Sequence, residues 1–195
     1  LILVGVSIGS LFGMRGDAII VTGERFINLA TSYDSITYGK LTNERSLNTF
    51  SVRLNQFVAQ YDPRTNSPLD YAAFVTTEDE SGNLVERVIK VNSPLTFGSS
   101  RVYLQANGYA PVVTVRDEIG NVNFQGPVTF LPQDSNLRSI GSIKVPEASP
   151  QLGFVSSFVP TYQRDPEAGA VSVYPELLKP RLLFSIWEGD LGLDT

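Results

Sequence analysis

The chain has 195 residues, enough for one well-cored domain or for two small ones sharing a sheet, and one domain is the expectation. Hydrophobic residues make up 42% and charged residues 18%, the balance of a folded globule, and a net charge of −5 with scattered Lys and Arg excludes a nucleic-acid-binding face. The absence of cysteine removes disulfide frameworks, thiol nucleophiles and thiolate metal sites, and the absence of histidine removes Ser-His-Asp triads, HExxH zinc sites and histidine ligation of haem iron.

Residues 1–13 form an uncharged apolar run that falls short of the roughly 20 residues a helix needs to cross a bilayer. Taken alone it reads as a buried N-terminal strand, a core helix or the remnant of a trimmed signal peptide. Gly5, Gly9 and Gly13 carry the small-xxx-small spacing found where membrane helices pack closely. Beyond this run helical periodicity is nearly absent, and short β-rich stretches recur between turn signals. The fold class is therefore mainly β, an antiparallel sandwich or barrel-like domain with little helix. Strands are expected near 18–22, 48–58, 71–78, 84–92, 100–107, 111–117, 122–130, 139–145, 153–161, 169–174 and 181–187.

Turn chemistry marks the connections. Glu80-Ser81-Gly82-Asn83 and Glu118-Ile119-Gly120-Asn121 set Gly beside Asn between apolar stretches, so each should close an antiparallel hairpin. The acids Glu78, Asp79 and Glu80 read as a solvated hairpin tip, since a calcium loop needs several oxygen ligands converging from one defined turn. Segments 62–68 and 146–151 read as exposed loops, and residues 31–47 are polar and weakly patterned.

The most informative stretch is 89–111. Val88, Ile89 and Val91 end one strand, while Val102, Leu104 and Ala106 alternate with polar or amphipathic neighbours in another, which places Val91 and Val102 on neighbouring strands. Between them Asn92-Ser93-Pro94 forces a break, because Pro94 donates no N–H and pushes Ser93 toward extended backbone. Gly98 returns the chain to the sheet, and Gly108 follows the second strand. Among 11 Phe, 8 Tyr and one Trp, most belong to the core, and Tyr103, Tyr109 and Trp187 are the candidates for an exposed partner-binding or membrane-facing surface.

The pattern V-N-x-P-L-x-x-G over Val91 to Gly98, followed by Val102-Tyr103-Leu104 and Gly108-Tyr109, resembles the extracytoplasmic domain of the ResB family of cytochrome c biogenesis proteins. Leu11-Phe12-Gly13, Gly23-Glu24, the run from Phe50 to Leu54 leading to Phe57, and the final stretch from Gly189 to Asp194 agree in order, so the resemblance covers nearly the whole chain. It implies that residues 1–13 are the tail of a transmembrane helix or a membrane-proximal segment, and that 14–195 is a β domain outside the cell membrane. It also implies a non-enzymatic role in the type II maturation system. The partners would be a polytopic haem-handling membrane protein of the ResC or CcsA type, apocytochrome c and the membrane, with no nucleic acid.

The family's functional histidines lie in its membrane segments, so no catalytic, cofactor-binding or metal residue carries over; haem is handled by the full complex and is not bound by this fragment. The interface candidates are Asn92, Pro94, Leu95, Tyr103, Tyr109, Trp187, Gly189, Asp190 and Leu191. Two other readings compete: a cell-surface β-sandwich module that binds peptide or glycan, and a carboxylate enzyme such as a glycoside hydrolase with two acids facing across a cleft.

Overall fold

The computed structural model describes residues 2–10, 13–39 and 47–193. Seventeen strands and one 3-10 turn account for the regular structure of these residues. Where length allowed one domain or two small ones, the chain divides into two compact units, one built mainly from 2–62 and 67–107, the other from 63–66 and 108–193.

The first unit contains two antiparallel sheets. In the five-stranded sheet the order is β4 (Ser35–Thr37), β2 (Arg15–Val21), β1 (Ile2–Ser10), β9 (Ser100–Tyr109) and β8 (Leu95–Phe97). The four-stranded sheet runs β3 (Arg25–Ile27), β5 (Ser51–Tyr61), β6 (Pro68–Glu78) and β7 (Leu84–Lys90). Their inner faces share a single core that joins Val4, Ile8, Ile20 and Val102 from one sheet to Phe26, Val52, Leu54, Phe57, Val75 and Ile89 from the other. This is a β-sandwich.

The N-terminal run is not helical. Residues 2–10 are a strand paired along its length with β2, from Leu3 opposite Val21 to Gly9 opposite Arg15, and Val4, Ser7 and Ile8 are buried. The physical reason is that β-branched Ile2, Val4, Val6 and Ile8 fall at every second position, the period of a strand. The glycine spacing therefore has no helix to act on. Leu11, Phe12 and Asp194 lie outside the described residues, as do residues 40–46 of the weakly patterned stretch at 31–47.

Strand β5 solves a phase problem. Val52 and Leu54 point into the core, and so do Phe57 and Tyr61, three and seven residues after Leu54, an odd spacing that a regular strand would turn outward. A bulge between Leu54 and Gln56 inserts Asn55 and resets the alternation, with Asn55 Nδ2 donating to Thr76 Oγ1 at 2.8 Å across the pair.

The second unit holds a four-stranded antiparallel sheet, β12 (Leu131–Pro132), β13 (Ser139–Val145), β14 (Gln151–Val159) and β17 (Arg181–Gly189). Two separate ribbons accompany it, β10 (Val112–Arg116) with β11 (Val122–Pro127), and β15 (Tyr162–Asp165) with β16 (Gly169–Ser172). Its core holds Phe130, Ile143, Val145, Phe158 and Val159. Phe130 lies on Gly141, where an added Cβ would come within 2.9 Å of the ring.

Both expected hairpins form, and their turns share one construction. In the β6–β7 turn Asp79 Oδ1 accepts the N–H groups of Ser81 and Asn83 at 2.9 and 3.0 Å, and Asn83 Nδ2 donates to Oδ2. In the β10–β11 turn Asp117 does the same for Ile119 and Asn121 at 3.0 and 2.8 Å. Gly82 and Gly120 supply the positive φ in each, at 79° and 93°. These bonds hold both carboxyls below the ordinary aspartate range, chiefly through the Asn83 and Asn121 side chains; Asp165, bonded by the N–H groups of Ala168 and Glu167, is shifted the same way.

A depressed native pKa contributes stability that is complete above the unfolded value, near pH 4, and is lost as pH falls through the native value. Chemical denaturation of the wild-type chain should therefore show a stability decline below about pH 4, and the Asp79→Ala/Asp117→Ala variant should show a visibly flatter acid limb.

Candidate functional site

The segment that carries the sequence signature is a strap that passes from one sheet of the sandwich to the other. Strand β7 stops at Lys90, and a tight turn follows in which Ser93 N–H donates to the Lys90 carbonyl at 3.0 Å. Asn92 takes φ 67° at this turn, a left-handed conformation that Asn tolerates better than other residues with a Cβ. Beyond Pro94 the chain enters β8 on the opposite sheet, where Leu95 pairs with Val102 and Phe97 with Ser100. The expected pairing of Val91 with a strand bearing Val102 is thus replaced. Val91 sits exposed in the crossover, and the hairpin is the short one formed by β8 and β9. Pro94 is what ends β7, since it permits no ladder bond.

A polar chain pins the strap from beneath. Tyr33 Oη donates to Asn28 Oδ1, Asn28 Nδ2 donates to the Asn48 carbonyl at 2.7 Å, and Asn48 Nδ2 donates to the Phe97 carbonyl at 3.1 Å. Asn28 is 1% exposed, so its full use of both amide atoms is what makes its burial tolerable. Burial, with a smaller contribution from Tyr38, pushes the Tyr33 phenol above its ordinary pKa. The Phe97 ring stacks on Phe50 with centroids 4.2 Å apart and planes 2° from parallel, while Tyr33 meets Phe26 edge-on. Gly98, at φ 55°, completes the arrangement, because a Cβ there would come within 2.8 Å of Asn48 Nδ2. Neither Asn28 nor Asn48 stands out in the sequence; each is an ordinary loop residue until its carbonyl partners are seen.

Beside the strap lies an open cleft of about 320 Å³ lined by Asn48, Phe50, Asp79, Glu80, Phe97 and Gly98, among others. Its acids serve the fold. Asp79 organises its own turn, Glu80 Oε1 accepts the Thr49 N–H at 3.1 Å, and nearby Glu78 pairs with Arg25. Among the described residues no group of three or more metal-ligating side chains gathers.

The remaining candidates are distributed between the units. Tyr103 alternates outward on β9 and is 38% exposed. Tyr109 is no surface residue: it is buried, its ring lies 5.3 Å from that of Phe158, and its hydroxyl donates to the Pro175 carbonyl at 2.8 Å. Burial, assisted by Glu176, pushes its pKa up to about 12. Trp187 is 59% exposed on β17. Gly189, Asp190 and Leu191 form a closed turn, in which Gln151 Oε1 accepts the N–H groups of Leu191 and Leu193 at 3.0 and 3.3 Å and Leu191 lies over Gly153.

These features define a mainly β protein whose described polar side chains serve its own turns and crossovers and whose exposed apolar residues lie along strands. Its family follows from a match to the ResB-like family model over residues 1–195, and the chain belongs to that family. The family is associated with cytochrome c biogenesis and is typically membrane-associated, and its members are biogenesis components rather than known enzymes. No curated protein and no solved structure matches the chain. Among the described residues no helix is long and apolar enough to cross a membrane.

Two substitutions test the strap. Asn28→Ala leaves the Tyr33 hydroxyl without its acceptor and the Asn48 carbonyl without its donor, and should cost about 1–3 kcal/mol in denaturant unfolding. Gly98→Ala should cost about 1–2 kcal/mol from its left-handed backbone alone, and in an Asn48→Ala background, where the side chain it would strike is gone, the added cost should shrink.

Proposed function

We propose that this chain is the extracytoplasmic part of a type II cytochrome c maturation complex, and that it works with a polytopic haem-handling partner of the ResC or CcsA type. Together they deliver haem to the CxxCH motif of apocytochrome c on the outer side of the membrane. The observation that carries this reading is the family match along the whole length, joined to a signature segment that folds as a specific, internally braced strap. Its crossover, with Asn92 exposed and Pro94 half-buried, together with Tyr103 on β9, is the surface assigned to the partner. Leu95 is half-buried against the core and positions the crossover from below. In the second unit Trp187 and the Gly189-Asp190-Leu191 turn are retained as contact candidates, and Tyr109 is withdrawn because it is buried.

Haem is the cargo of this complex, and the chain's own residues offer it no histidine or cysteine. The purified chain titrated with haem should give only broad, weak spectral changes, and a sharp stoichiometric Soret shift that survives a haem scavenger would overturn the reading.

The crossover is tested by Asn92→Gly with Pro94→Ala, since glycine keeps the left-handed backbone while deleting the amide. With the melting temperature unchanged, co-purification of the haem-handling partner and the yield of mature cytochrome c should both fall. If both hold at wild-type level, the crossover is a structural turn alone.

A further inference from the structure

Strand β17 is the outer strand of its sheet and its sequence does not alternate. Leu183, Phe184, Ile186 and Trp187 are 41, 55, 57 and 59% exposed, and they lie on both faces. The register separates them. Phe184 and Ile186 stand opposite Ser156 and Phe154 on the core side, while Leu183 and Trp187 stand opposite Ser157 and Gly153 on the outer side. A strand that reads apolar on both faces is the pattern of an interior strand, and soluble proteins rarely leave such an edge bare. Nothing in β17 blocks further pairing, since residues 181–189 contain no proline, and the charges stand only at its ends.

Those charges decide the occupant. Lys179 and Arg181 make the start of β17 cationic, both held near the Tyr162 ring, whereas Glu188 and Asp190 make its end anionic. An edge with opposite charges at its two ends is complementary to an antiparallel copy of itself and repels a parallel one.

We propose that β17 is a self-association edge at which two copies of this chain join their sheets antiparallel about a two-fold axis through Ser185. A two-fold axis perpendicular to the sheet pairs residues of like face, so pairing centred on Ser185 sets Leu183 opposite Trp187 of the second copy and Phe184 opposite Ile186. Arg181 then lies opposite Gly189, between Glu188 and Asp190 of the other strand, and no like charges face each other. The exposed β17 side chains offer roughly 400 Å² per copy, taking a fully buried aromatic as about 150–250 Å². The area covered on two copies is of the order of 1,000 Å², which fits a reversible, concentration-dependent dimer.

Because the chain contains no cysteine, a single introduced thiol reads the register directly. Directly opposed residues of an antiparallel pair have Cα atoms about 4.5–5.5 Å apart, within disulfide range. Ser185→Cys in the full chain should oxidise to a disulfide-linked dimer, while Ser142→Cys, exposed on β13 of the same sheet, should remain largely monomeric. Sedimentation equilibrium of the wild-type chain should show mass rising toward twice the monomer with concentration. In Leu183→Lys/Ile186→Lys, whose folding is checked by circular dichroism and melting, that rise should be lost.

A wild-type chain that stays monomeric at millimolar concentration overturns the proposal, as does Ser185→Cys crosslinking no faster than Ser142→Cys. Binding of monomeric chain to neutral lipid vesicles through Trp187, read by its fluorescence, would equally overturn it by assigning the edge to the membrane.

Discussion

The strap between the two sheets is held at one point by the hydrogen bond from the Asn48 amide to the Phe97 carbonyl, beneath the stacked rings of Phe50 and Phe97. These two residues sit where the strand entering one sheet meets the strap arriving from that same sheet on its way to the other. A crossover between sheets leaves backbone groups without ladder partners, and a carbonyl left unpaired there costs about 1–3 kcal/mol. Asn48 removes that cost, and through its own carbonyl it passes the constraint to Asn28 and Tyr33. Residues nearly seventy positions apart are thereby linked through side-chain amides as well as through the strands between them.

This gives the signature segment a physical reading. Asn92 is there because the turn needs a left-handed residue, Pro94 because β7 must end, and Gly98 because Asn48 occupies the space a Cβ would need. Three of its fixed positions are thus explained by folding. Folding leaves the Asn92 side chain exposed at the crossover, with Pro94 half-buried beside it.

Strand positions were legible beside the Gly-Asn turns, as in β6, β7, β10 and β11, and in β13 between its two polar loops, and the observed ranges fall close to the expected ones. The short strands β3, β4, β8 and β12 escaped notice, because two or three residues carry no period and exist only through their neighbours. The N-terminal run carried its strand signal in branched residues at period two, in keeping with the buried-strand reading of that run. At the site, turn residues were readable because Gly and Pro act locally. Asn28, Asn48 and the buried state of Tyr109 were not, since each depends on partners twenty or more residues away.

The repeated Asp-Glu-x-Gly-Asn turn has a kinetic consequence. Each copy fixes the register of its hairpin using contacts no more than four residues apart, so β6–β7 and β10–β11 can close within microseconds, independently of the rest. The five-stranded sheet is the opposite case: β1 lies beside β9, about ninety residues later in the chain, and β9 must be made before β1 can dock on it. Loop-closure entropy places that pairing at the slow end of the process. Strand β1 can close early on its neighbour β2, so what waits for the long loop is the docking of that hairpin onto β9, and until then the inner edge of β1 is open to competing partners.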